Sequence, residues 1–94
     1  MTQQPIDNAT EIRNRILLSV AAYAYELESH SIISDAEFDE LSKRINPQHK
    51  TGNTMLDIFF AEEFSADTGM WIRKHPEILK LKHIYDTVYK GEKQ

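Results

Sequence analysis

Apolar positions recur along most of the chain at intervals of three and four residues, the spacing of one face of an α-helix. Ile12, Ile16, Val20, Tyr23 and Leu27 form the first such stripe and predict a helix from Ala9 to Glu28. Asn8 is the expected N-cap, with Glu11 three residues on as the acid of a capping box. Leu18, Ala22 and Tyr25 lie on another side, so this helix is expected to pack on more than one neighbour.

A second helix is predicted from Asp35 to about Ile45. Ser34 and Glu37 make a capping box, and Ile33 and Phe38 can form a hydrophobic staple across the helix start. Asp35 and Glu37 suit the positive end of the helix dipole, and Lys43 and Arg44 the negative end. Phe38, Leu41 and Ile45 should face the core, and Asn46-Pro47 should stop the helix.

After a loop over 46–53, Thr54 and Asp57 predict the cap of a third helix reaching about Phe64. Met55, Leu56, Ile58, Phe59, Phe60 and Phe64 surround that helix with apolar side chains, so it is expected to be the most buried. A short helix should open at Ser65 or Asp67 and run through Gly69, Met70, Trp71 and Ile72. Pro76 suits the first turn of a last helix with the stripe Ile78, Leu81, Tyr85 and Val88, ended by Gly91. The fold class expected is all-α: one domain over 1–94, a compact bundle of four to five helices with an N-terminal helical hairpin, its ends 1–7 and 91–94 frayed.

Composition narrows this picture. The 94 residues are 40% apolar and 28% charged, as in globular chains. The absence of cysteine excludes disulfides, thiolate metal sites and cysteine nucleophiles, and suits a reducing compartment. No apolar run is long enough for a membrane span and the N-terminus does not read as a signal peptide, so a cytoplasmic location is expected. The net charge of −4 disfavours broad nucleic-acid binding. It is unevenly spread: residues 1–70 carry 5 Lys/Arg and 12 Asp/Glu, or −7, and residues 71–94 carry 6 and 3, or +3. Such separation is either two solvated faces or a polar interaction surface, for self-association or for a basic partner.

The run Ile33-Ser34-Asp35-Ala36-Glu37-Phe38-Asp39 resembles the start of the second helix in the N-terminal helical domain of NAD-dependent DNA ligases. Tyr25, ten residues before Asp35, is in register with a tyrosine of the preceding family helix. The resemblance covers roughly residues 12–45, about a third of the chain. That domain holds the nicotinamide mononucleotide half of NAD, and the resemblance implies this role for Tyr25, Asp35 and Asp39. Asp35 and Asp39 stand four apart and project from one helix face, suited to ribose hydroxyls or to a positive ring. Tyr25 is suited to stack on such a ring. Two positions depart from the family: Glu26 replaces a histidine, and Phe38 replaces a tyrosine and loses its hydroxyl. No Lys-x-Asp-Gly motif is present to take an AMP group. The chain thus resembles the small stand-alone ligase-related proteins of phage and prophage genomes.

The remaining chemistry is sparse. His30, His49, His75 and His83 have no metal-ligand spacing, and His75 before Pro76 reads as a cap-position residue. Asp35, Glu37, Asp39 and Glu40 read as dipole partners rather than an acid–base pair. Lys50-Thr51-Gly52 is not a phosphate loop. Arg73, Lys74, His75, Lys80, Lys82 and His83, with Trp71 and Tyr85 nearby, make a basic, aromatic stretch that could bind single strands, although both aromatics also suit the core.

Three functions follow as expectations. The first is a non-catalytic accessory protein that binds an unidentified protein partner. The second is a residual NAD or nicotinamide mononucleotide module using Tyr25, Asp35 and Asp39. The third is nucleic-acid binding through the basic C-terminal helices. No catalytic residue, metal ligand or enzyme activity is expected, and a homo-oligomer would arise if a second copy covered the third helix.

Overall fold

The computed structural model describes residues 7–92. Within them the protein is an all-α bundle of four α-helices, and no strand occurs among the described residues. Helix α1 spans Asn8–Glu28, α2 Asp35–Arg44, α3 Thr54–Glu62 and α4 Ile78–Ile84. A 3-10 helix, Met70–Lys74, precedes α4, and a π-helical turn, Tyr85–Tyr89, continues it into a last 3-10 turn, Lys90–Glu92. No described helix is long and apolar enough to cross a membrane. Of the ends expected to fray, 1–6 and 93–94 lie outside the described residues.

The centre of the bundle is α1, which packs against α2, the first 3-10 helix and α4. From Leu18 to Ala24 it is buried on every side. Small residues make this feasible: Ser19, Ala21, Ala22 and Ala24 let neighbours approach the helix axis closely. The expected α1 stripe is corrected at both ends. Val20 and Tyr23 are buried, whereas Ile12, Ile16 and Leu27 are 37–46% exposed. In the first turns the buried positions are Glu11 and Arg15. Asp7, not Asn8, is the N-cap, and its carboxylate accepts from Thr10 Oγ1 at 2.6 Å.

Glu11 is therefore no capping acid. Its carboxylate accepts from Arg15 Nε at 2.7 Å and from the backbone N of Asn46. Arg15 also donates to Asp57 Oδ1 at 3.0 Å and to the carbonyls of Asn46 and His49 at 2.8 Å each, with its guanidinium over the Phe60 ring. One arginine thus fastens the 46–53 loop and α3 to α1. Asp57, read as a capping partner of Thr54, instead accepts from Thr51 N, Thr51 Oγ1 and Gly52 N. Burial alone would raise its pKa, but the Thr51 and Gly52 hydrogen bonds and the Arg15 charge outweigh that and lower it. The α3 N-cap is Asn53, whose Oδ1 accepts from Leu56 N.

Helix α3 is also shorter and less covered than its composition implies. It ends at Glu62, Phe59 and Phe60 are buried, and Met55 and Ile58 are about half exposed. Phe59, Phe60 and Phe64 gather around Trp71, with ring centroids 5.2–6.0 Å from it. Near the C-terminus Leu81 and Tyr85 fill the core as expected, while Val88 is exposed. Pro76 precedes the α4 cap residue Glu77 instead of occupying the first turn, and Gly91 lies inside the last 3-10 turn.

Candidate functional site

The α2 start is built as its sequence dictates. Ser34 Oγ accepts from Glu37 N at 3.0 Å, and Glu37 Oε1 accepts from Ser34 N at 3.1 Å. These bonds hold the Glu37 carboxyl below its ordinary pKa. They also fix the entry angle of α2 and so the direction of its first turns. Ile33 and Phe38, on either side of the cap, are half-buried against the core. Asp35 and Asp39 follow on one face of the helix.

That face lines a cleft of about 380 Å³ between α1 and α2. Helix α1 contributes Ala21, Ala22, Tyr25 and Glu26, and the connection to α2 contributes Ser31, Ile32 and Ile33. Helix α2 contributes Asp35, Phe38 and Asp39. The cleft thus brings together Tyr25, Asp35 and Asp39, with Glu26 and Phe38 beside them. Its floor is apolar, and Tyr25, 59% exposed, presents its ring at the edge.

The fourth wall, Ala66 to Gly69, was not legible from the sequence and comes from outside the region of resemblance. Two hydrogen bonds between residues two apart shape it, from Asp67 N to Ser65 Oγ and from Met70 N to Thr68 Oγ1. Buried Trp71 ties it down by donating Nε1–H to the Thr68 carbonyl at 2.7 Å. Gly69 closes against the floor: a Cβ there would stand 3.4 Å from Phe38 Cζ, 3.7 Å from Ala22 Cβ and 4.0 Å from Glu26 Cγ. No local pattern marks this wall in the sequence, because contacts of Trp71 and Gly69 with distant elements place it.

The cleft is acidic. Glu26, Asp35, Asp39 and Asp67 line it, and among the described residues no lysine or arginine does. The nearest cations are already engaged. Lys43 pairs with Asp39 at 3.1 Å, and Arg73 Nη2 lies 3.7 Å from Glu26 Oε1 and donates to the Glu26 carbonyl at 3.3 Å. Such a site suits a flat organic cation that carries hydroxyl groups.

The basic C-terminal stretch keeps its lysines exposed but not its aromatic rings. His75 is buried, with Nδ1 accepting from Glu77 N, and Trp71 and Tyr85 are in the core. Lys74 pairs with Glu63, Lys80 with Glu77 and Lys82 with Asp86. Of the other histidines, His30 Nδ1 meets Tyr85 OH at 2.9 Å and His49 Nε2 meets Asn8 Oδ1 at 2.8 Å.

The chain matches no protein-family model, no curated protein and no solved structure.

Proposed function

We propose that the protein is a non-catalytic binding module whose cleft takes the nicotinamide–ribose moiety that nicotinamide riboside shares with the nicotinamide nucleotides. The observation that carries this reading is the meeting of Tyr25, Asp35 and Asp39 in one cleft with an apolar floor. Tyr25 stacks on the positive ring, and the carboxylates of Asp35 and Asp39 accept hydrogen bonds from the ribose hydroxyls. Phe38 supplies floor where the ligase pattern has a hydroxyl. We take the site of action to be the cytoplasm, which a cysteine-free chain suits, and the protein to be of the phage or prophage accessory kind.

Titration calorimetry with nicotinamide riboside and nicotinamide mononucleotide, each to millimolar concentration, tests the reading. Binding of at least one of them, lost in Asp35→Ala and in Tyr25→Ala, is the expected result. No heat from either, or heat unchanged in Asp35→Ala, overturns it.

A second reading, docking of a protein partner, has its own observation. Ala9, Ile12, Ile16, Val20, Ile84 and Tyr89 border a mostly apolar groove of about 630 Å³ on the side of α1 where Ile12 and Ile16 are exposed. Replacing both isoleucines with serine leaves the cleft untouched and should abolish such docking. A self-associating chain would show it as a loss of dimer in sedimentation.

A further inference from the structure

Resting on the cleft-binding reading, we infer that Glu26 is a specificity-determining residue that selects a pyridinium nucleoside over its phosphorylated forms. The argument is one of charge and position. Glu26 lines the cleft with its side chain only 16% exposed, so its carboxylate is poorly screened from a ligand beside it. Asp35, Asp39 and Asp67 add three more carboxylates to the same walls.

A phosphate group in this cleft needs a cation, and Glu26 removes the candidate. Arg73 is held at both ends of the same residue, through the Glu26 carbonyl at 3.3 Å and the carboxylate at 3.7 Å. Lys43, the other nearby cation, is held by Asp39. An unphosphorylated pyridinium nucleoside keeps a single positive charge and gains most from Asp35 and Asp67, for which no ion pair occurs among the described residues, with Glu26 and Asp39 already sharing their charge with Arg73 and Lys43. A phosphate reverses the ligand's net charge and turns that gain into repulsion. Glu26 thus sets a carboxylate in the wall and keeps the neighbouring guanidinium of Arg73, itself outside the lining, bound to that carboxylate.

The test compares nicotinamide riboside, nicotinamide mononucleotide and NAD by calorimetry on the wild-type chain and on Glu26→Gln, which keeps the side-chain shape. The wild type should bind the riboside at least about tenfold more tightly than the mononucleotide or NAD. In Glu26→Gln that preference should shrink about tenfold, with the mononucleotide gaining affinity as Arg73 is released. A wild-type chain that binds the mononucleotide as tightly as the riboside overturns the inference and leaves the binding reading standing. So does an unchanged preference in a folded Glu26→Gln chain. Absence of binding by all three ligands overturns both.

Discussion

Arg15 donates its Nε–H to Glu11 Oε2 at 2.7 Å, one turn earlier on α1, and both side chains are buried. The pair is the anchor by which a nine-residue helix and an irregular loop stay attached to α1, because the remaining Arg15 donors reach Asp57, Asn46 and His49. Arg15→Ala leaves Glu11 buried without its partner and strips Phe60 of its cation. A loss of about 3–5 kcal/mol is expected in urea unfolding. The double variant Arg15→Met/Glu11→Leu, which removes both charges, should be more stable than Arg15→Met alone.

The acid limb of stability belongs in part to His75. Burial between Phe59 and Phe60 pushes its pKa from the ordinary 6.5 down to about 4, against an opposing pull from Glu77. The folded chain then binds fewer protons than the unfolded chain between those values. Stability is whole above pH 6.5 and is lost as pH falls toward 4, by about 3 kcal/mol from this group. In His75→Asn an amide oxygen can keep the bond to Glu77 N. Urea midpoints from pH 4 to 7 should fall less steeply for that variant than for the wild type.

Ser29 ends α1 in the left-handed region, with φ 52° and ψ 38°, while its N–H and that of His30 both donate to the Ala24 carbonyl. A serine pays a steric penalty there that glycine avoids. Ser29→Gly should therefore stabilise the chain by about 0.5–1 kcal/mol, net of the extra freedom glycine has when unfolded. Thermal unfolding should move up by roughly 2–6 °C.

Two hydroxyls, Ser19 Oγ and Ser42 Oγ, are buried with no hydrogen-bond partner among the described residues. Each forfeits its bonds to water, so Ser19→Ala and Ser42→Ala should each raise stability by about 1 kcal/mol. Larger replacements should not, since both side chains are fully enclosed and a longer one would strain the core.

What could be read from the chain in advance was what neighbours in sequence decide. The Ser34–Glu37 box closes over three residues, so the start of α2 and the shared face of Asp35 and Asp39 were legible. The rotation of α1 was not. Its apolar stripe argued for burying Ile12 and Ile16, but Arg15 finds partners 31 to 42 residues away in the loop and α3, and those turn Glu11 and Arg15 inward. The same holds for Asp57, whose bonds to Thr51 and Gly52 depend on how the loop folds back. Tyr25, Asp35 and Asp39, expected together only from a family resemblance, do line one cleft, whereas the wall at 66–69 depends on the anchoring of Trp71 in an aromatic cluster.

That anchoring has a dynamic consequence. The wall is fastened through Trp71 to the α3 side of the molecule, while the opposite walls belong to α1 and α2. Anything seated in the cleft therefore touches all of these walls at once, and by linkage it stabilises their packing on one another. Amide hydrogens of the 3-10 helix at Met70–Lys74, which touch no ligand, would then exchange more slowly with solvent when the cleft is filled. Occupancy of the cleft would be recorded in the protection of a segment that does not itself line it.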